Sequence, residues 1–173
     1  MRHPPAAWFH RVLWRERVVA VVSEDDPLAE QDSLAIADLL ERALIGIPAG
    51  AGDEGGGFDL RAALGPAAAR AEIAHLADQP RALVALVRFG FGVGVIRHCA
   101  LANVETGGVT VRAIDSPTAF HDMAVFWTQR RAQDASIAAF LDAQRHAPLP
   151  PTCTRLAGEP RRRHGENFAD SGL

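Results

Sequence analysis

The chain has 173 residues, 48% of them hydrophobic, and a formal net charge of −3 at pH 7. It can bury the core of one domain, or of one and a half small lobes, and its charge alone does not indicate binding to nucleic acid or to a membrane. All 18 basic residues are arginines, which excludes sites that need a lysine amine: a Walker A loop, a Schiff base or a Ser–Lys pair.

The start of the chain carries charges and prolines, and no segment approaches the roughly 18 apolar residues of a membrane span. We therefore expect neither a secretory signal nor a membrane anchor, and a cytoplasmic location. The two cysteines, Cys99 and Cys153, are far apart and lack a CxxC spacing, so we expect no disulfide and no zinc site.

In chain order, predicted strands alternate with predicted helices. The β-branched run RVVAVVS predicts a buried strand at residues 17–23, and further strands are expected at 44–47, 70–77, 91–96, 107–114 and 122–129. Helices are expected at 33–43, 58–65, 78–90 and 134–146. This alternation predicts an α/β fold with a mostly parallel sheet. Residues 148–173 are polar and contain the cluster RRRHGEN, which predicts a disordered tail.

Three glycines at alternate positions interrupt the apolar run LVRFGFGVGVI, residues 86–96. A dinucleotide-binding motif requires a strand, then the glycines, then a helix, so that phosphate meets the positive helix start. Here the order is helix, Gly90, strand. We interpret Gly90 as the end of the helix with positive φ, and Gly92 and Gly94 as points of close backbone approach.

The best-supported candidate site lies where predicted strands end and helices begin. In open α/β sheets, ligands bind beyond the carboxyl ends of the strands, and the first amides of a helix attract anions. The loops after Ile47 and Ala77 both fit this description, and we expect those two residues to be neighbours. The candidate effector contacts are Pro48, Ala49, Gly50, Asp78 and Gln79, in a site that binds but does not catalyse.

Other candidate sites are weaker. The loop PAGAGDEGGG, residues 48–57, is expected to be mobile, and Asp53 and Glu54 would repel phosphate; it is either a flexible loop over a ligand cleft or a plain surface loop. Cys99 follows His98 directly, a spacing that rarely gives a nucleophile and base pair, so an inert cysteine is favoured over a catalytic one. His75 is expected in the core, and His121 before a strand, without metal-ligand spacing. We expect no catalytic residue, metal or cofactor.

Five segments in order resemble the effector-binding region of LysR-type transcriptional regulators, over about residues 10–147. They are VVAVVSEDDPLA, LAIADLLERALIGI, ALVALVRFGFGVGVI, GGVTVRAI and AVFWTQRRAQDASIAAFLD. Two positions depart from the family pattern: Asp26 stands where histidine is usual, and Arg97 stands where proline is usual, adding a charge near the cleft mouth.

The resemblance implies a fold like type II periplasmic binding proteins, with two α/β lobes joined by two crossing strands and a small molecule between them. It implies a partial substrate-binding domain at 1–147: a complete second lobe at about 17–114, plus the return strand and last helix of the other lobe at about 122–146. The family's helix-turn-helix is not in the sequence, so binding to DNA is expected only through a missing N-terminal domain. The implied partner is a small effector, carboxylate or aromatic; a stand-alone solute-binding module or a small enzyme using Cys99 are the alternatives.

The last predicted helix presents Ile137, Phe140 and Leu141 on one face. In a complete domain of this family, that face would pack on the first lobe. Exposing it costs about 1.5–3 kcal/mol per side chain relative to burial. We therefore expect either that the helix packs on the second lobe or that the chain forms homo-oligomers.

Overall fold

A computed structural model describes residues 8–50, 52–53, 55–131 and 133–156, and the backbone of 161–163. The chain divides into two compact units, which we call the central unit, Glu16–His121, and the terminal unit, Met1–Arg15 with Asp122–Leu173. Among the described residues, no helix is long and apolar enough to cross a membrane.

The central unit is built on six strands. They are β1 (Trp8–Ser23, which begins in the terminal unit), β2 (Ser33–Ala35), β3 (Leu44–Gly46), β4 (Ile73–Leu76), β5 (Val93–Arg97) and β6 (Val109–Asp115). Their order in the sheet is β2-β6-β1-β5-β3-β4. Strand β1 is antiparallel to its neighbours β5 and β6, whereas β2 runs parallel to β6, and β3 parallel to both β4 and β5. Five strands therefore share one direction, which confirms the mostly parallel α/β sheet.

Both faces of this sheet are covered, which explains the continuous apolar run in β1. Val18, Ala20 and Val22 belong to one core cluster, with buried residues of α1 (Ile36–Leu40) and α2 (Gly57–Leu64). Val19 and Val21 belong to the other, with buried residues of α3 (Pro80–Arg88). Successive strand residues point to opposite faces, so each face receives alternate valines.

The helix predicted over residues 33–43 is wrong in its first turn. Ser33–Ala35 forms β2 instead, with Leu34 opposite Ile114 of β6, and only five residues, Ile36–Leu40, are helical. Leu34 is fully buried there. Pairing with the sheet outweighs the local helical pattern, because it buries this leucine and satisfies the backbone at the same time.

The glycine run adopts the structural role predicted for it. Gly90, just beyond α3, has a φ of 76°, which ends the helix in the left-handed region. Gly94 lies in β5, and a Cβ built on it would lie 2.4 Å from Cδ2 of Leu83 and 3.1 Å from Cγ2 of Val87. The missing side chain lets α3 pack directly on the strand.

The terminal unit contains the last described elements. They are β7 (Phe120–Thr128, which begins in the central unit), α4 (Ala135–His146), β8 (Thr154–Arg155) and β9 (Arg161–Arg163). Strands β8 and β9 pair antiparallel with the first half of β1. They lie within residues 148–173, for which the sequence predicts a disordered tail. The backbone amides of an edge are strong pairing groups even when the side chains are polar. Residues 157–160 and 164–173 lie outside the described part of the chain.

Candidate functional site

The candidate site begins where β3, β4 and β5 end. The amide of Ala77 donates a hydrogen bond of 2.9 Å to the carbonyl oxygen of Gly46, so the segments after β3 and β4 run side by side. Ile47 and Ala77 are therefore neighbours, as predicted. Strand β5 is parallel to β3 and ends at Arg97. The loops leading into α2 and α3 thus leave the sheet at one edge, its carboxyl edge.

A cavity of about 140 Å³ opens at this edge. The β3 loop forms one wall, the first residues of α2 and α3 form another, and the end of β5 forms a third. The lining residues are Ile47, Pro48, Ala49, Phe58, Asp59, Pro80, Ile96, Arg97 and Ala100. Phe58 is 58% exposed, and the guanidinium of Arg61 lies 5.2 Å from its ring centroid. The cavity therefore combines apolar walls, an aromatic ring, one cationic side chain and one carboxylate.

The charged residues of the cavity form a network across four elements. The carboxylate of Asp59 accepts a 3.0 Å hydrogen bond from the Arg97 amide and lies 3.1 Å from Arg97 Nε. His121 Nε2, from β7, lies 3.1 Å from the same carboxylate. Glu16, from β1, lies 3.9 Å from the Arg97 guanidinium. Asp59 and Glu16 are only 6% and 4% exposed, whereas the Arg97 side chain is 43% exposed. Arg97 thus links two buried carboxylates to the open cavity.

The network keeps Asp59 ionised despite its burial. Burial by itself would raise the pKa of Asp59, but the close contact with His121 and the positive charge of Arg97 outweigh it. The pKa of Asp59 therefore lies below its usual range. Asp59 sits in the first turn of α2, where a carboxylate also suits the helix dipole.

Hydrogen bonds to Asp53 connect the described residues of the glycine-rich loop after β3, which the sequence predicts to be mobile. Asp53 accepts hydrogen bonds from the amides of Ala49, at 2.8 Å, and Gly55, at 3.1 Å. Its carboxylate also accepts a 3.0 Å bond from Arg61, the residue that stacks on Phe58. Hydrogen bonding to Arg61 and Ala49 lowers the pKa of Asp53 to about 2. Asp53 thus connects the β3 loop with α2, which form two walls of the cavity. Glu54 lies outside the described residues.

The predicted effector contacts divide into two groups. Pro48 and Ala49 line the cavity. Gly50, Asp78 and Gln79 are exposed and do not line the cavity. Gln79 is the N-cap of α3, and Asp78 precedes it. Sequence reasoning missed Phe58 and Asp59, although Asp59 carries a recognisable signal: an acidic residue in the first turn of a helix that follows a strand. Arg97 was recognised only as an unusual charge.

The remaining candidates take other places in the structure. Cys99 is half-buried in a short 3-10 helix, His98–Leu101, that follows β5. His75 lies on β4, the edge strand of the sheet, and is half-buried rather than in the core. Its ring packs edge-on against Phe91. His121 lies within β7 rather than before a strand, because the strand begins one residue earlier, at Phe120.

The terminal unit has a cavity of its own, of about 460 Å³, between β7 and α4. Ile137 and Phe140 of α4 line it together with Phe126 and Trp127 of β7. No residue of α4 is buried, and Phe140 is 43% exposed. The apolar face of α4 is therefore incompletely covered within the described part of this unit.

Comparison with known proteins gives the chain its relatives. The family model of the LysR substrate binding domain matches residues 1–148. No curated protein sequence matches the chain. The regulatory domain of MetR, a LysR family regulator from N. meningitidis, has a similar structure, with a TM-score of 0.70, 17% identity, and coverage of 87% of this chain and 69% of that one.

Two further similar structures were solved with small molecules. The effector binding domain of QuiR in complex with shikimate has a TM-score of 0.59, 22% identity, and coverage of 79% of this chain and 63% of that one. The regulatory domain of CcmR from Synechocystis PCC6803 in complex with 2-PG has a TM-score of 0.63, 17% identity, and coverage of 83% and 69%. These structural similarities show the fold. Because the family model matches most of the sequence, the chain belongs to the LysR substrate binding domain family.

Proposed function

We propose that the chain is the effector-sensing module of a LysR-type transcriptional regulator, and that the cavity at the carboxyl edge contacts a small anionic effector. The observation that carries this proposal is the placement of Arg97. Arg97 lines the cavity together with Pro80, the first residue of α3, and the Arg97 side chain is 43% exposed. A guanidinium and the amide end of a helix both attract carboxylates and phosphates.

The other walls favour a flat or apolar remainder of the effector. Phe58 presents an exposed ring, and Pro48, Ala49 and Pro80 contribute apolar surface. The predicted contacts Gly50, Asp78 and Gln79 remain proposals for the rim of the site. Shikimate, which QuiR binds, is a small ring with a carboxylate and therefore a suitable first probe.

The proposal gives the chain no catalytic role. The family is one of regulator domains, which favours sensing over an enzyme built on Cys99 or a stand-alone solute-binding module. We propose that α4 supports homo-oligomers and that the protein acts in the cytoplasm. We also propose that a separate helix-turn-helix domain contacts DNA, and that this chain alone does not bind DNA selectively. A gel shift in which this chain selects a DNA sequence would contradict that last point.

The test is a binding screen of small carboxylates, including shikimate, followed by calorimetry. A ligand at a hundred times its Kd stabilises the protein by about 2.7 kcal/mol, which a thermal shift detects. Arg97→Gln should weaken binding at least tenfold. The matched control is Arg70→Gln, an exposed arginine at the end of a 3-10 helix outside the cavity lining. Equal loss in both variants, or none in Arg97→Gln, rejects the anion site.

A further inference from the structure

The cavity at the carboxyl edge presents two opposite charges side by side. Arg97 and Asp59 both belong to its lining, and Nε of Arg97 lies 3.1 Å from Oδ1 of Asp59. The side chain of Arg97 is 43% exposed, whereas that of Asp59 is 7% exposed. The pKa of Asp59 lies below its usual range, so this carboxylate is charged at neutral pH. A ligand in the cavity therefore meets a cation and an anion together.

One oxygen of Asp59 lacks a hydrogen-bond donor. Oδ2 accepts hydrogen bonds from the amide and from Nε of Arg97, at 3.0 and 3.4 Å. Oδ1 is buried, and no donor of the described residues forms a hydrogen bond with it, although Arg97 Nε and His121 Nε2 each lie 3.1 Å away. A buried acceptor without a donor costs free energy, because it has lost its water. A donor supplied by a ligand is therefore favourable at Oδ1.

An anion without a positive group of its own fits this arrangement poorly. If it draws the guanidinium of Arg97 away from Asp59, the buried carboxylate loses the cation that lies 3.1 Å from it. A buried carboxylate is costly unless a cation or hydrogen bonds compensate it. If Arg97 stays beside Asp59, the anion approaches a second negative charge in the same small cavity, and the two repel each other. Asp59 thus opposes the binding of a plain anion in both cases.

We propose that the cavity recognises the head group of an α-amino acid: the ligand's carboxylate binds the guanidinium of Arg97, and its ammonium group replaces Arg97 Nε beside Oδ1 of Asp59. Arg97 and Asp59 then each keep a partner of opposite charge, and Oδ1 gains the donor that it lacks. This inference rests on the proposed function, because it assumes that the anionic group of the effector binds Arg97. It narrows the effector from a small carboxylate to a zwitterion.

The size and the walls of the cavity agree with such a ligand. Its volume is about 140 Å³, and a protein cavity of about 150 Å³ holds a benzene molecule. The space therefore suits an amino-acid head group with a small side chain. Ile47, Pro48 and Ala49 supply apolar surface for that side chain, and Phe58 adds an exposed ring to the lining.

The experiment begins with a thermal-shift screen of the standard L-amino acids on the unmodified chain. Calorimetry then compares the amino acid that gives the largest shift with two analogues of nearly the same shape. Its 2-hydroxy acid has a hydroxyl in place of the ammonium group, and its amide has a neutral group in place of the carboxylate. We expect each analogue to bind at least about tenfold more weakly, because each loses one hydrogen bond between charged groups.

Two variants test whether Asp59 is the source of the preference for the ammonium group. Asp59→Asn should bind the amino acid and its 2-hydroxy acid with similar affinities. The matched control is Asp26→Asn, because Asp26 is another carboxylate of the central unit that pairs with an arginine, Arg42 at 3.3 Å, but lies outside the cavity lining. This control should keep the preference. The comparison of ligands on the unmodified chain stands even if Asp59→Asn folds poorly.

The outcomes separate this inference from the proposed function. If simple carboxylates bind at Arg97 and amino acids do not, or if the 2-hydroxy acid binds as tightly as the amino acid, the inference is wrong and the anion site stands. The inference is also wrong if Asp59→Asn keeps the full preference for the amino acid. If Arg97→Gln leaves the affinities unchanged, or if neither amino acids nor carboxylates bind at millimolar concentration, the anion site is wrong, and the inference fails with it.

Discussion

Gly94→Ala is the sharpest test of the packing that brings α3 and β5 to the cavity. The added Cβ would lie 2.4 Å from Leu83 Cδ2 and 3.1 Å from Val87 Cγ2, and both side chains are fully buried. Overpacking a closed core costs about 1–3 kcal/mol. The alanine lowers the entropy of the unfolded chain, which offsets roughly 0.4–1 kcal/mol. We expect a net destabilisation of about 1–2 kcal/mol.

Urea unfolding measures this difference. With an m-value of about 2 kcal/mol/M, the midpoint should fall by roughly 0.5–1 M without a change in slope. Gly50→Ala is the matched control, because a Cβ there has nothing within 4 Å. Its stability should stay within about 0.5 kcal/mol of the unmodified chain. A Gly94→Ala variant that kept full stability but lost anion binding would refute this reasoning and restore the glycine run as a phosphate-binding loop.

Three further predictions concern the loop, the core and α4. Asp53→Asn should release the Ala49 and Gly55 amides, which should then exchange hydrogen faster. Because the pKa of Asp53 is lowered to about 2, these hydrogen bonds contribute their full stability above the ordinary carboxyl pKa of 3.8 and are lost as the pH falls from there toward 2. Amide chemical shifts that do not change in that pH range would contradict this prediction. Leu60→Ala, at a fully buried position of α2, should cost about 2–5 kcal/mol in urea unfolding, and a cost under 1 would mean that the core is loosely packed. Phe140→Ser should shift sedimentation toward the monomer, whereas a chain already monomeric at high concentration contradicts association through α4.

Much of the central unit could be predicted from the sequence because its signals are local. The valine run of β1, the Pro80 start and Gly90 end of α3, and the adjacency of Ile47 and Ala77 follow from periodicity, backbone preferences and the pairing of parallel strands. Pro48 and Ala49 could be proposed for the site on the same grounds, since loops at the carboxyl edge of a parallel sheet converge.

Only the tertiary structure decided which charges meet at that edge. Glu16, Asp59, Arg97 and His121 come from four elements spread over more than a hundred residues, and no local pattern relates them. The same holds for Leu34, which pairs with β6 against its helical surroundings, and for Thr154–Arg155, which pairs with β1 despite a polar sequence. Sequence periodicity determined the elements because it reflects which face is buried, whereas side-chain partners depend on which elements pack together, and that is set by the fold of the whole chain.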